Sequence, residues 1–377
     1  MENGVCSSES ANGSCDVWSC DDSSAADHLV VMVHGILGSS SDWKFGAEQF
    51  VRELPDKVFV HCSEKNMSRL TLDGVDVMGE RLAQEVLEVI ERKPTLRKIS
   101  FVAHSVGGLV ARYAIGRLYR PGRKNNAEED SMNNVDSSRN NKGQEHSEDS
   151  TNNVDSLTGN NGQGKPKATI GGLEAMNFIT VATPHLGSRG NKQVPFLFGL
   201  SALEKTAPLI IHWIFKRTGR HLFLTDNDNG QRPLLRRMIE DSGDCFFMYV
   251  VPTQNFCDQR TDAKLLRSAL RTFNRRVVYS NWEECVDEKY PHIVYEEHCK
   301  ACDAEESEIF SEQDDNNFDK LEEELLTGLS RVSWEKVDVS FHTSRQRFAA
   351  HSVIQVPLSF SLSRWNRFPS FLSFICR

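Results

Sequence analysis

At 377 residues the chain is long enough for one large core with insertions, and its formal net charge of −9 is local in origin. Residues 283–326 hold 17 acidic side chains against Lys289, Lys300 and Lys320, so everything else sums to a positive charge. An acidic run of this kind reads as a solvated face and excludes nucleic acid as the natural partner.

Taken in chain order, residues 1–28 (MENGVCSSESANGSCDVWSCDDSSAADH) are polar, with no apolar run behind basic residues, and read as a disordered tail without a signal peptide. Residues 29–33 (LVVMV) are a short apolar run ending at His34-Gly35, as expected for a strand buried on both faces. Residues 58–61 (VFVH) read as a second strand. Met78, Leu82, Val86 and Ile90 then recur four apart, the stripe of a helix that stops near Pro94. Residues 99–103 (ISFVA) predict a third strand and residues 107–119 a helix after it.

Residues 121–167 are almost without aliphatic side chains and are expected to be a disordered insertion, within which EDSMNNVDS (129–137) returns as EDSTNNVDS (148–156). Residues 178–182 (FITVA) and 275–280 (RRVVYS) predict two more strands, and Val337, Val339 and Phe341 alternate in a last one. Between them, residues 193–224 carry PFLFGL and LIIHWIFKR, an apolar stretch fit for a cap over a pocket, with Lys205, Lys216, Arg217 and Arg220 available for a membrane interface. Strand and helix alternate, which predicts a mostly parallel sheet with helices on both faces and a ligand site at the carboxyl ends of its strands.

No window of about 18 apolar residues would cross a membrane. Ten cysteines in such a chain read as reduced thiols of an intracellular, cytoplasmic protein. Cys299-x-x-Cys302 beside His298 has no second pair at metal-ligand spacing and is read as free thiols in a loop, so no metal is expected.

The chemistry concentrates at Ala103-His104-Ser105-Val106-Gly107-Gly108, between the third strand and its helix. A strand, a turn too tight for most side chains, and a helix lift a serine hydroxyl off the sheet as a nucleophile. Ala103 stands where the commoner pattern has glycine and is still small. A nucleophile of this kind needs amide donors for the developing oxyanion, one from the residue after the serine and one from an early loop; Val106 and Ile36, in His34-Gly35-Ile36-Leu37-Gly38, take those parts. His34, Leu37, His104, His185 and Leu186 are placed around the substrate, the last two within Thr183-Pro184-His185-Leu186-Gly187 after the fourth strand.

VMVHGILGS, FVAHSVGGLVARYAIG and ITVATPHLGS, in this order, resemble the "putative serine esterase" family of lipase-like α/β-hydrolases, over roughly residues 29–356. The resemblance implies an α/β-hydrolase fold and a serine, acid, histidine triad in chain order, with hydrolysis of carboxylic esters, lipid acyl esters foremost, and no cofactor. The base comes from the loop after the last strand: His351, in AAHSVI, matches the family best, and His342 is second. The chain departs from the family in three places. The aspartate segment expected after RRVVYSN is replaced by WEECVD, where Asp287, Glu283 and Glu284 are the substitutes at hand; none has the family's surrounding pattern, and none is expected to sit where the triad needs a carboxylate. Residues 249–267 look inserted, and the tail from Pro357 differs, the pattern that altered splicing leaves. Two rival readings follow: a weak or inactive scaffold binding a lipid or partner, and an acyltransferase.

Overall fold

The computed structural model describes residues 26–122, 167–188, 207–227, 230–239, 269–281, 293–302 and 318–339. The expected N-terminal tail up to residue 25, the repeat-bearing insertion, residues 189–206 of the cap stretch, residues 249–267 and everything after residue 339 lie outside them. Pro121–Ala168 separates from the remainder as a unit of its own.

Seven strands form the main sheet: β1 (His28–Val33), β2 (Val58–Cys62), β3 (Lys98–His104), β6 (Glu174–Val181), β7 (Arg275–Asn281), β8 (Ile293–Cys299) and β9 (Trp334–Val339). Their spatial order is β2-β1-β3-β6-β7-β9-β8, parallel throughout except for the β8–β9 edge pair. The chain therefore runs outward from β1 to β2, returns, and continues from β3 in the opposite direction. The reversal puts a crevice at the carboxyl ends of β1 and β3, the place where open parallel sheets bind ligands.

The continuous apolar runs become intelligible in this arrangement, since both faces of the central strands are covered. Leu29, Val31 and Val33 of β1 enter a core shared with α2 (Val75–Arg92) and α3 (Val106–Leu118), where Met78, Leu82, Val86, Leu109 and Ile115 are buried. Val30 and Met32 face the other way, against Trp43, Ala47 and Phe50 of the segment leading through α1 (Lys44–Glu53). α1 is absent from the sequence expectations because its apolar face is narrow. β1 begins at His28, a residue earlier than expected, with His28 Nε2 2.8 Å from Ser100 Oγ.

The acidic segment is less solvated than its composition implies. It supplies β8, the antiparallel edge strand, and α6 (Phe318–Ser330). Leu321 and Leu325, four apart, bury in the core, and Glu324 pairs with Arg236 of the short α5 (Leu234–Arg237) at 2.8 Å, both side chains enclosed. The charge count concealed a helical period. Cys299, expected in a loop, is the last residue of β8, and Cys62, Cys299 and Cys302 are free thiols. Among the described residues no cluster could hold a metal ion, and no helix is long and apolar enough to cross a membrane.

The polar insertion leaves the fold between two paired two-residue strands, β4 (Tyr119–Arg120) and β5 (Thr169–Ile170), in register Tyr119 to Ile170 and Arg120 to Thr169. Its ends are thus held together by the core itself. Deleting residues 125–164 should shift the melting temperature by no more than about 2 °C, because loop closure varies only logarithmically with length. A scanning calorimetry trace with a larger fall would refute this.

Candidate functional site

β3 ends at His104 and α3 starts at Val106, so Ser105 alone makes the turn, with φ 53° and ψ −131°. For a residue with a Cβ this backbone costs about 1–2 kcal/mol and survives only where its surroundings enforce it. Two hydrogen bonds do so: the Ser105 amide donates to Val181 O at the end of β6 (2.9 Å), and the Gly108 amide donates to Ser105 O (3.1 Å). Val106, as the first residue of α3, carries one of the amides that have no acceptor inside a helix.

The turn lies so close to the first strand that its glycines are obligatory. A Cβ on Gly107 would stand 2.4 Å from His34 O and 2.8 Å from Val33 O, and one on Gly108 would stand 2.2 Å from Thr183 Oγ1. Gly35 is held the same way from the other side, its Cβ position 2.9 Å from His104 Nδ1 and 3.1 Å from Ser105 Cβ. The HGILG loop and the serine turn therefore pack backbone against backbone. Ala103 is fully buried, and its methyl is accommodated where glycine was the commoner expectation.

Within the early loop, the Gly38 amide donates to Gly35 O (3.2 Å) and the Leu37 amide to Thr71 Oγ1 (2.8 Å), while Ile36 lies half-buried between them against the core. Leu37 has φ 55° and projects outward. His34 is buried, with Nδ1 3.0 Å from Gly35 O, which requires Nδ1 to carry the proton and leaves Nε2 a bare acceptor without a partner among the described residues. Burial lowers its pKa, so the ring is neutral.

The TPHLG segment packs into the fold through His185 and Leu186. Arg112 lies four residues beyond Gly108, on the same face of α3, and donates through Nη1 to His185 O (3.3 Å) and His185 Nδ1 (3.4 Å). His185 Nε2 must then carry the proton and donate to Thr180 Oγ1 (2.9 Å). The ring also packs against Trp334 at 5.5 Å between centroids, and Leu186 packs on the same core. Both nitrogens of His185 are spent on the protein, and desolvation, with the neighbouring Arg112 charge, holds its pKa well below the ordinary value. Arg112 is wholly buried with no carboxylate partner among the described residues, and burial pulls its guanidinium down to about 10. Sequence reasoning missed Arg112 and Thr71. The one available signal was the four-residue spacing of Gly108 and Arg112.

α4 (Ala207–Leu222), from the apolar stretch expected as a cap, is kinked at Lys216 (φ 48°, ψ −132°). Beyond the kink it is fixed to the start of α2: Thr218 Oγ1 donates to Thr71 O (2.7 Å) and accepts from the Gly74 amide (3.0 Å), and His221 Nδ1 accepts from the Val75 amide (3.0 Å). Arg217 is engaged with Asp76, and Arg220 donates to Thr225 O. Two of the cations expected at a membrane interface are thus committed to the protein. His342, His351, Glu283, Glu284 and Asp287 lie outside the described residues.

Buried neutral histidines make stability depend on pH. Burial lowers the pKa of His28 to about 4 and holds those of His34 and His185 below the ordinary value. Their stabilisation is complete above the unfolded value of about 6.5 and is lost as pH falls towards the folded values. The melting temperature should therefore decline steadily from about pH 6.5 to about pH 4. A flat profile over that interval would show that these rings are protonated in the folded protein.

A strand, a strained serine turn, a helix and a glycine loop beside it, all at the carboxyl edge of a mostly parallel sheet, define an α/β-hydrolase. The sequence pattern of the family described as "Putative serine esterase (DUF676)" matches residues 23–290, and the chain belongs to that family. "Putative lipase ROG1" of Saccharomyces cerevisiae is 34% identical over 96 residues, which are 24% of this chain and 14% of the yeast protein. Among solved structures, a lipase of Bacillus licheniformis in propeptide form aligns at TM-score 0.33 and 15% identity, over 68% of this chain and 36% of its own. A carboxylesterase of the thaumarchaeon Nitrososphaera gargenis aligns at TM-score 0.33 and 11% identity, over 93% and 92%.

Proposed function

We propose that the protein hydrolyses carboxylic esters, with lipid acyl esters as the preferred class, through an acyl-enzyme on Ser105. The observation that carries this reading is the strained φ of Ser105 at a turn whose neighbouring glycines admit no side chain. Such strain is retained where geometry serves a function. Ser105 Oγ attacks the acyl carbon, and the amides of Val106 and Ile36 receive the oxyanion; the other two amides after Gly35 in the early loop are already spent. His351, with His342 as second choice, takes the serine proton and returns it to the leaving alcohol.

Asp287 is the first choice for the acid orienting that histidine, ahead of Glu283 and Glu284. The exposed Leu37 of the early loop and the apolar stretch around α4 favour an acyl chain over a polar substituent. Burial of His34 and His104 next to the turn gives them a supporting part in the pocket, whereas the partners of His185 give it a packing one. The free thiols support a reducing, intracellular setting.

The test is a purified sample profiled against esters of increasing acyl length, alongside Glu283→Gln, Glu284→Gln and Asp287→Asn. Hydrolysis rising with chain length is expected, and loss of one acid should lower turnover by about 10⁴. Absence of any hydrolysis would leave a lipid-binding scaffold, and transfer to added alcohol in preference to water would make the protein an acyltransferase.

A further inference from the structure

The segment joining β2 to α2 presents Met67, Ser68, Arg69 and Leu70 to solvent, in a 3-10 turn (Ser68–Leu72) whose last two residues, Thr71 and Leu72, are buried. Met67 is 37% exposed and Leu70 45%, and beside them Leu37 of the early loop is 55% exposed. These three are neighbours through their backbones. The Ser68 amide donates to Gly38 O (2.8 Å), Thr71 Oγ1 accepts from the Leu37 amide (2.8 Å) and donates to Ser68 O (2.6 Å), and Ser40 Oγ lies 3.7 Å from Met67 Sδ.

Leu37 and Ser68 both hold φ 55°. Relaxing either residue would remove strain, yet this bonding network holds both loops in the form that displays apolar side chains to water. Apolar display maintained against strain marks a contact surface.

Charge selects the partner. Arg69 sits between Met67 and Leu70 and has no ion-pair or hydrogen-bond partner among the described residues. The acids that follow it are already neutralised, Asp73 by Arg81 at 2.7 Å and Asp76 by Arg217. A cation flanked by long unbranched and branched apolar side chains matches a bilayer surface, where the chains enter the acyl boundary and the guanidinium meets an anionic headgroup.

We infer that Leu37, Met67, Arg69 and Leu70 form the surface by which this protein rests on an anionic lipid surface, with the Ser105 turn facing the bilayer. The inference rests on the lipid-ester reading for its purpose, while the binding itself requires no catalysis. Thr71 ties the surface to the site: its hydroxyl holds the Leu37 amide, and its carbonyl accepts from Thr218 of α4.

The experiment is flotation of the full chain carrying Ser105→Ala, so that no lipid is consumed, with phosphatidylcholine vesicles with and without phosphatidylserine. The parent should bind both and prefer the anionic ones. Met67→Ser with Leu70→Ser should lower partitioning onto both by about tenfold or more. Arg69→Glu should remove the anionic preference, a loss of about tenfold on those vesicles alone. With Ser105 restored, the double variant should hydrolyse a water-soluble short-chain ester as the parent does.

Parent-like partitioning of the double variant, or no binding by the parent, overturns the inference. So does a parent that is dimeric without lipid and becomes monomeric in the double variant, because the patch would then cover a second copy. Vesicle binding without ester hydrolysis would leave this inference standing and remove the catalytic reading; hydrolysis without vesicle binding would do the reverse.

Discussion

Replacing Ser105 with alanine should lower ester turnover by about 10⁶, with the melting temperature held, because the nucleophile is lost while the backbone of the turn is kept. Val181 O and the Gly108 amide grip the backbone of residue 105, and those bonds survive the change. A small residual rate is consistent with this, since oxyanion donors and binding act without the nucleophile. Ser105→Gly separates function from strain more sharply. Glycine adopts φ 53° without steric cost, so this variant should be as inactive as the alanine form yet more stable than the parent, by about 1 kcal/mol. Loss of activity with a gain in melting temperature is the mark of a residue kept against its backbone preference. If the alanine form hydrolyses esters at the parent rate, Ser105 is not the nucleophile and the chemistry lies elsewhere.

The largest stability effect should come from Gly107→Val. Its Cβ would meet two backbone oxygens, His34 O at 2.4 Å and Val33 O at 2.8 Å, neither of which can rotate away as a side chain would. The first strand and the elbow helix would have to separate, at a cost of about 3 kcal/mol, and turnover should fall with the displaced loop. Gly172→Ala is the comparison. Gly172 has φ 88° but nothing within 4 Å of its Cβ position, so only the conformational cost of about 1 kcal/mol applies. Equal losses of melting temperature in the two variants would mean that close approach is not what requires glycine at residue 107.

Much of this was legible in advance, for identifiable reasons. β1, β2, β3, β6 and β7 could be read because a strand covered by the core carries a short apolar run, and helices α2 and α3 because their apolar residues recur at helical spacing. The serine turn could be read because its stereochemistry admits few residue types. β8 and α6 were hidden by their acids: composition averages over a segment, whereas Leu321 and Leu325 act at single positions. The contacts of His185 were not legible, because its partners, Arg112 and Thr180, come from another helix and from a strand position five residues earlier.

By itself, then, the sequence indicated β1, β2, β3, β6, β7, α2 and α3, the serine turn between β3 and α3 and the need for small residues around it, since these depend on local stereochemistry and short-range periodicity. Only the tertiary structure decided that β1 and β3 flank the reversal of the sheet, that the His34 and Val33 carbonyls lie against Gly107, that Arg112 holds His185, and that Thr71 joins the early loop, the Met67–Leu70 projection and α4. Each of those is a contact between residues far apart in the chain, and chain periodicity carries no record of which distant backbone a side chain will meet.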